Sequence, residues 1–354
     1  MSIRNMIEQQ EHQVLHPRAA FSDHNRGRKR QEQPCSIRPA FQHDRDKILH
    51  SKSFRRLLRK TQVFLAPQGD HYRTRMTHTL EVSQIARTLA RALMLNEHLT
   101  EAIALGHDLG HTPFGHAGEA VLNDLMPGGF RHVNQSVRVV DLLERDGQGL
   151  NLTIETIDGI AQHSKGRGKI LSGAGSNLPI TLEGQLVRLS DIVAYVNHDL
   201  DDAIRAGIIV ESDVPKELLK TLGPSHSARI DRMVKDVLYS TNLDDGDLIQ
   251  MSDELEEALQ DMRDFLYEKV YDNPVVHEEF TKCRKMLTDL FSIFIEQPST
   301  FDRLAGKGRE GKASGVFGLD RRICDFIAGM TDRYALWLYN ELFIPRPWPL
   351  SRGL

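Results

Sequence analysis

Residues 107–113 read HDLGHTP and are the most informative stretch of this 354-residue chain. They follow the apolar run AIAL at 102–105, whose residue types are typical of a buried helix. A buried carboxylate beside a buried imidazole is unfavourable unless a third group pairs with both. A divalent metal ion does so by taking a nitrogen from His107 and an oxygen from Asp108. The stretch therefore predicts half of a metal site inside a helical core.

Two further amphipathic segments supply the other half of the predicted metal site. His78 begins a run with apolar residues at helical spacing, and Asp191 lies inside the apolar run at 186–195. A lone buried histidine is usually a hydrogen-bonded core residue, but a His-Asp pair with two spaced partners favours a ligand set. The predicted ligands are two nitrogens and two oxygens from His78, His107, Asp108 and Asp191. This mixed set suits a divalent ion, Mn or Mg first, with Co, Ni or Fe as alternatives.

The periodicity of the chain predicts an all-α fold. Nearly every apolar pattern repeats at 3.6 residues, and alternation of period two is scarce. Pro67, Gly69 and Asp70 indicate a turn, so we expect at most a short β-hairpin near 62–75. Helices are predicted at about 43–60, 76–95, 98–109, 116–125, 134–145, 153–163, 182–206, 226–240, 246–270, 274–296 and 319–343.

The chain divides into three predicted regions. Residues 1–36 form a polar N-terminal arm with a basic cluster at 26–30, residues 37–210 form the core, and residues 211–354 form a C-terminal helical region packed on it. The arm is interpreted as mobile or as a subunit contact, and a solvated tail is the alternative.

Composition excludes several classes of protein. The chain has 45 basic and 49 acidic residues, so nothing in its overall charge calls for nucleic acid or a membrane surface. It has no apolar run long enough to span a bilayer, and its first residues lack the apolar core of a signal peptide. Three scattered cysteines without a CxxC motif are typical of reduced thiols, and we expect a cytoplasmic protein. Gly-rich phosphate loops are missing from the sequence.

Four longer strings carry a resemblance to a known family. They are FRRLLRKTQVF at 54–64, HDLGHTPFGHAGE at 107–119, TLEGQLVRLSDIVAYVNHDLDDA at 181–203 and DFIAGMTDRYA at 325–335. Together they resemble the deoxyguanosinetriphosphate triphosphohydrolase-like proteins, bacterial dNTP triphosphohydrolases of the HD-domain superfamily. The resemblance implies an HD-domain helical core with extra N- and C-terminal helices. It also implies metal-dependent hydrolysis of dGTP, other dNTPs or both at the α-phosphorus, giving deoxynucleoside and triphosphate.

Such a reaction needs a proton donor, because the 5′ oxygen of a nucleoside is a poor leaving group. His116 is the candidate, and Glu119, one helical turn later, could hold and orient the imidazole. The resemblance supports the same pair, although a surface ion pair is the alternative interpretation. His132 is a second candidate for the acid. Val133 stands after it, where relatives usually carry asparagine.

Substrate contacts are predicted partly from spacing and partly from the resemblance. Arg75 lies one helical turn before His78, and guanidinium groups suit phosphate oxygens. His111 lies four residues after His107, so on a helix it would share that face and contact a phosphate. The other basic residues are phosphate contacts or a solvated face: Arg55, Arg56, Arg59, Lys60 and Arg73. The resemblance implies further contacts. Gln62 and Asp199 would hydrogen-bond the 3′ hydroxyl, and Val63 would pack beneath the deoxyribose. Tyr195 would lie near the phosphates or the sugar.

Two alternative functions and several binding partners are also predicted. The chain could be another HD phosphohydrolase, such as a 5′-nucleotidase or cyclic-dinucleotide phosphodiesterase, or a non-catalytic sensor of dNTPs or single-stranded DNA. The resemblance implies a dNTP substrate, a homo-oligomer and a dNTP activator at a subunit interface. Single-stranded DNA is a further candidate partner, and no membrane partner is expected.

Overall fold

The computed structural model describes residues 1–62, 72–164, 178–306 and 317–345. These ranges are built from helices and contain no β-strand, so the all-α prediction is confirmed. Isolated antiparallel bridges join Arg28 to Thr153 and Thr61 to Thr74. The second bridge stands at the base of the predicted hairpin, whose residues 63–71 lie outside the described ranges.

The helices have the following bounds. In the first half they are α1 Ile3–Val14, α2 Ala40–Leu49, α3 Lys52–Arg56, α4 Arg75–Ala92, α5 Glu97–Gly106, α6 Gly115–Leu125, α7 His132–Arg138, the single turn α8 Glu144–Gly147, and α9 Ile154–Gln162. In the second half they are α10 Leu182–Arg205, α11 Lys216–Leu222, α12 His226–Ser240, α13 Asp253–Leu266, α14 Pro274–Glu296, α15 Pro298–Ala305, α16 Leu319–Ala328 and α17 Asp332–Phe343. Short 3₁₀ turns lie at Ser22–His24, Leu57–Arg59 and Glu211–Asp213, and π turns at Val139–Leu143 and Tyr267–Tyr271. Of the helices described here, none is both long and apolar enough to cross a bilayer.

Helix α5 positions the site because it packs between two hydrophobic cores. Leu99 and Ile103 contribute to a core shared with α4, α10, α12 and α13. Ala102 and Leu105 contribute to a second core with α2, α3 and α9. Fully burying a leucine stabilises a fold by about 2 kcal/mol, so α5 is held on both faces. A third core joins α6 to α14–α17.

Several predicted helices end earlier or divide. The segment predicted at 319–343 breaks between α16 and α17, where the side chain of Thr331 caps α17 by accepting from the Tyr334 N–H. The segment predicted at 43–60 divides at Ser51, which caps α3. The helix predicted at 98–109 ends at Gly106, and that predicted from 246 begins at Asp253. Periodicity missed these ends because apolar spacing continues across each break.

The N-terminal region is folded against the rest of the chain. Two side chains of its basic cluster form ion pairs, and Arg28 is bonded to buried Asp44. The Arg26 backbone N–H donates to Glu155 over 2.6 Å. Lys29 lies 2.7 Å from Asp141. These contacts contradict the interpretation of a mobile arm. The division into 1–36, 37–210 and 211–354 stays a prediction.

Candidate active site

The turn that follows α5 carries His107 and Asp108. His107 Nδ1 donates to the carbonyl oxygen of Ala104 over 2.7 Å, which leaves the lone pair on Nε2. His107 Nε2 is buried and has no hydrogen-bond partner among the described residues. A backbone hydrogen bond therefore presets the tautomer that a metal ligand needs.

Close packing against α7 holds this turn in place. The Gly110 N–H donates to Ser136 Oγ over 2.9 Å, and Ser136 Oγ donates to the carbonyl of His107 over 2.6 Å. A Cβ added at Gly110 would lie 2.1 Å from the Ser136 nitrogen, so only glycine permits this approach. The position of His107 thus depends on α7 as well as on α5.

Helices α4 and α10 complete the predicted metal-ligand set, which is His78, His107, Asp108 and Asp191. His78 Nε2 lies 3.0 Å from Asp191 Oδ1. His107 Nε2 lies 3.4 Å from Asp108 Oδ1 and 3.7 Å from Asp191 Oδ1. An ion about 2.1 Å from each donor puts neighbouring donors about 3 Å apart. The separations and the unpartnered nitrogen of His107 therefore fit one divalent ion.

Neighbouring side chains hold Asp108 as a carboxylate. Burial raises the pKa of Asp108, but its interactions with His107, His111 and the Arg75 guanidinium outweigh burial and keep the pKa well below its usual value. Arg75 Nη1 donates to Asp108 Oδ2 over 2.7 Å, and both side chains are buried. The first turn of α4 thus presents both His78 and a guanidinium to the same site.

A second cluster, which we call the His–Glu–His group, consists of His116, Glu119 and His132. Glu119 Oε2 accepts from His116 Nδ1 over 3.3 Å, and Glu119 Oε1 accepts from His132 Nδ1 over 2.9 Å. The His132 backbone N–H also donates to Glu119 over 2.8 Å. Burial raises the pKa of Glu119, but the hydrogen bonds from both histidines prevail and lower it. The structure therefore holds an ionised carboxylate between two imidazoles.

His111 lies between the metal-ligand set and the His–Glu–His group. Its ring stacks on His132, with centroids 4.0 Å apart, and its Nε2 lies 3.2 Å from Asp108 Oδ1. The prediction that His111 shares a helical face with His107 is wrong, because α5 ends before both residues. Burial holds the pKa of His111 well below its usual value, so the ring is neutral. The two clusters are thus joined side by side.

Comparison with known proteins gives two domain families that match different regions of this chain. The HD domain matches residues 75–196, and the Phosphohydrolase-associated domain matches residues 249–341. The "Deoxyguanosinetriphosphate triphosphohydrolase-like protein" of Caldanaerobacter subterraneus subsp. tengcongensis is 53% identical over 98% of each chain. This chain belongs to the deoxyguanosinetriphosphate triphosphohydrolase-like family. Proteins of the same name from Desulfatibacillum aliphaticivorans and Clostridium perfringens (strain 13 / Type A) are 52% and 47% identical, over 98% of this chain and 99% of theirs.

Membership of the triphosphohydrolase-like family confirms the resemblance carried by the four sequence strings. It also supports a hydrolase of the HD phosphohydrolase class, in which the HD domain depends on metal. The metal-ligand set and the His–Glu–His group all lie within the HD match, at residues 75–196.

The structure describes three of the four residues that are predicted to lie near the sugar of the substrate. Val63 lies outside the described residues. Gln62 Oε1 is buried, and it has no hydrogen-bond partner in the described ranges. Asp199 Oδ2 accepts from the Tyr271 hydroxyl, and burial raises the pKa of Asp199 to about 6 against that hydrogen bond. Tyr195 lies on α10 and is half-buried, and burial raises the pKa of its hydroxyl.

The basic residues predicted as phosphate contacts or a solvated face, at 55–60 and at Arg73, have other contacts. Lys60 is buried and donates to the carbonyls of His111 and Ala328. Arg73 donates to Asp202 over 2.9 Å. No described hydrogen bond or ion pair links the remaining members of the cluster to the metal-ligand set: Arg55, Arg56 and Arg59. Arg75 is therefore the predicted arginine that the structure brings to the metal-ligand set.

Asp332, in the phosphohydrolase-associated region, supports the site from the first residue of α17. Its Oδ2 accepts from the Thr61 N–H over 2.8 Å, and its Oδ1 accepts from the Phe114 N–H over 2.9 Å. Phe114 has a left-handed backbone with φ of +62°, a strained conformation at the start of α6. The carboxylate thus stabilises the turn that precedes His116. The sequence string DFIAGMTDRYA included Asp332 but gave no reason for this contact.

His163 is a neighbour of the site that the sequence analysis missed. Its ring centroid lies 4.9 Å from that of His107 and 5.4 Å from that of His132. His163 Nδ1 donates to the Ile160 carbonyl over 2.8 Å, and burial lowers its pKa to about 3. A single histidine at the end of an apolar helix has no spacing signal for a site. Only the packing of α9 against α7 reveals its position.

Proposed function

We propose that this protein hydrolyses deoxynucleoside triphosphates at the α-phosphorus and releases a deoxynucleoside and inorganic triphosphate. The observation that carries the proposal is the contact of the metal-ligand set, through Asp108 and His111, with the His–Glu–His group. It puts a candidate proton donor beside a site for a divalent ion. The names of the relatives favour dGTP, with other dNTPs as further substrates.

The metal-ligand set would hold Mn or Mg, with Co, Ni or Fe as alternatives. When bound, such an ion polarises a phosphate oxygen and lowers the pKa of water. Asp191 and Asp108 supply the negative charge of this site, and His107 supplies a buried nitrogen that is otherwise unpartnered in the described structure.

One buried N–H donor is available for the phosphates. Arg75 Nε is buried and has no hydrogen-bond partner among the described residues. An unpartnered buried donor destabilises the folded state by about 1–3 kcal/mol, which a phosphate oxygen would relieve. Arg75 and His111 both contact Asp108, so the phosphates would lie beside the metal-ligand set, where we propose that His111 contacts them too.

His116 is the proposed general acid. Its side chain is 71% exposed, whereas its Nδ1 is held by Glu119, so Nε2 is free to face a substrate. In the reaction a water oxygen bonds to the α-phosphorus and a proton of that water is released to solvent. The bond from phosphorus to the 5′ oxygen breaks, His116 donates a proton to that oxygen, and solvent reprotonates His116. Glu119 stabilises the protonated imidazole, and His132 orients Glu119.

Two free acceptors support the proposed recognition of the sugar. Gln62 Oε1 and Asp199 Oδ1 are buried without partners in the part of the chain that the structure describes. Either oxygen can accept the single hydrogen of a 3′ hydroxyl. We propose further that Val63 packs beneath the deoxyribose and that Tyr195 lies near the phosphates or sugar.

The test is product analysis with purified protein. We would incubate it with Mn²⁺ or Mg²⁺ and each dNTP, singly and as a mixture of four, and separate the products by ion exchange. The expected products are free deoxynucleoside and intact triphosphate. His116→Ala should slow their formation by about 10²–10⁴-fold, and His277→Ala, at an exposed position on α14, is the matched control. Monophosphate with pyrophosphate, or no product under any condition, would overturn the proposal.

The partners of the reaction are also proposals. We propose that the chain forms a homo-oligomer, that a dNTP activates it at a subunit interface, and that single-stranded DNA is a further ligand to test. Light scattering with and without dNTP tests the homo-oligomer. Activity that appears only in the dNTP mixture would support activation by a dNTP. A cytoplasmic location stays a prediction.

A further inference from the structure

A pocket of about 470 Å³ lies behind the turn that carries His107 and Asp108. Leu109 and Gly110, the next two residues, form part of its wall. The remaining described wall comes from α3, α7, the turns around α8, and the α15–α17 region. Small-molecule sites usually enclose roughly 300–1,000 Å³, so the volume suits a ligand. The described wall includes no member of the metal-ligand set or of the His–Glu–His group, so the pocket is a separate site.

The wall is suited to a flat apolar group. Leu142, Phe317 and Tyr334 contribute apolar and aromatic surface. The guanidinium carbon of Arg138 lies 4.1 Å from the centroid of the Phe317 ring, and Arg138 pairs with Asp325 over 2.7 Å. This paired guanidinium lies over the Phe317 ring in the wall, and an aromatic ligand could stack against such a surface.

Arg56 adds a positive charge that forms no ion pair within the described part of the chain. Its Nη2 donates to Ser53 Oγ over 2.7 Å, and its Nε is buried with no hydrogen-bond partner among the described residues. Arg56 forms no ion pair in the described ranges, because Glu144 instead accepts from Ser53 and the Lys52 N–H. Burial lowers the pKa of Arg56, as expected for a guanidinium removed from water. Glu144 is near enough to raise the pKa of Arg56 but forms no ion pair with it among the described residues, so an anion in the pocket could pair with this guanidinium.

The pocket is mechanically connected to the metal-ligand set. Gly110 is bonded to Ser136, which in turn donates to the His107 carbonyl. Ala328 is another residue of the pocket wall. Lys60 Nζ donates to the carbonyl of Ala328 and also to the carbonyl of His111. A ligand that displaces Leu109 would shift this closely packed turn and its metal ligands.

We propose that this pocket binds a small molecule with a flat apolar body and one anionic group, and that its occupation changes the affinity of the His-Asp turn for a divalent ion. The second half rests on the metal site of the proposed function. The pocket is a regulatory site in this assignment, and its ligand and the metal influence each other's binding reciprocally.

Two matched dyes test the ligand class on the full chain. 8-Anilinonaphthalene-1-sulfonate (ANS) has an aromatic body and one sulfonate, and N-phenyl-1-naphthylamine (NPN) has the same body without the charge. Fluorescence titration should give one ANS per chain. Leu142→Trp, which fills the pocket, should abolish ANS binding, whereas Leu49→Trp, at a 41% exposed position, should not. Failure of ANS to bind, or equal binding by both variants, would overturn the proposal.

Arg56→Gln tests the charge separately from the fold. We expect ANS to bind this variant about tenfold more weakly, while NPN affinity changes less than about twofold. Retained NPN binding shows that the pocket is intact. Equal losses for the two dyes would overturn the role of Arg56.

Isothermal titration with Mn²⁺, without nucleotide, tests the connection. Saturating ANS should change the Kd for Mn²⁺ by about fivefold or more in the natural chain and in Leu49→Trp, but not in Leu142→Trp. An unchanged Kd with ANS bound would overturn the coupling. Failure of the natural chain to bind Mn²⁺ would instead overturn the proposed function, whereas the dye titrations decide the pocket independently.

Discussion

The metal-ligand set and the His–Glu–His group use the same residue types for different chemistry. Each contains two histidines with carboxylate partners, and His111 lies between them. The His107 side chain is fully buried, and its Nε2 has no partner among the residues that the structure describes. The His116 side chain is 71% exposed and hydrogen-bonded to Glu119. Burial with a free lone pair favours a metal ligand, and exposure beside an ionised carboxylate favours proton transfer. Environment rather than residue type distinguishes the two groups.

The largest expected effect follows from removing a metal ligand. His107→Ala should weaken Mn²⁺ binding by more than about 100-fold and lower turnover by about 10⁴-fold or more, because a buried donor is lost. Calorimetric titration with Mn²⁺ and a dNTP assay measure the two effects. His277→Ala is the exposed control. Normal Mn²⁺ affinity in His107→Ala would break the distinction between the two clusters.

Removing the proposed acid should affect only one of the two measurements. His116→Ala should lower kcat by about 10²–10⁴-fold, the usual contribution of a general acid. Its Kd for Mn²⁺ should stay within about twofold of the natural value, because His116 is not in the metal-ligand set. The same titration and assay apply. A parallel loss of Mn²⁺ affinity would show that the clusters do not act separately.

Asp332 tests how the His–Glu–His group is held in place. Asp332→Ala removes the acceptor for the Thr61 and Phe114 N–H groups, and should lower the free energy of unfolding by about 3 kcal/mol. Urea denaturation measures the change. Asp272→Ala, at an exposed position, should change it by less than about 0.5 kcal/mol. Similar values for the two variants would contradict a supporting role for Asp332.

Asp199 extends the comparison to a buried carboxyl whose hydrogen-bond donor is a neutral hydroxyl, that of Tyr271. Burial raises its pKa from 3.8 to about 6, so ionisation in the folded state lowers stability as pH rises through that window. Asp199→Asn removes this penalty, which is at most about 3 kcal/mol above pH 6. The Tm of Asp199→Asn relative to the natural chain should therefore be higher near pH 7 than near pH 4.5. A difference in Tm that does not vary with pH would contradict the raised pKa.

Much of the fold could be predicted because amphipathic periodicity is strong in the long helices. The observed α10 at Leu182–Arg205 and α14 at Pro274–Glu296 match the predicted 182–206 and 274–296 closely. Helix ends were less accurate, since apolar spacing continues through the break before Thr331. That break places Asp332 at the start of a helix, where it accepts from the Thr61 and Phe114 N–H groups next to the site.

The candidate site was predictable where motif and spacing coincide. His78, His107, Asp108 and Asp191 were singled out from apolar helical context, and the structure brings all four together. His163 was missed because nothing around it repeats or pairs locally. Charge alone predicted Lys60 as a phosphate contact or part of a solvated face, and the structure instead buries it against the carbonyls of His111 and Ala328.

The sequence by itself determined the helical period, the donor atoms and the family of this protein, because each of these properties resides in short stretches of chain. Only the tertiary structure decided that His78 and Asp191, 113 residues apart, share a site at 3.0 Å. It also decided that His111 connects the metal-ligand set to His132, and that a pocket lies behind Leu109. Those relations depend on how α4, α5, α7 and α10 pack, and packing is a property of the whole core rather than of any one segment.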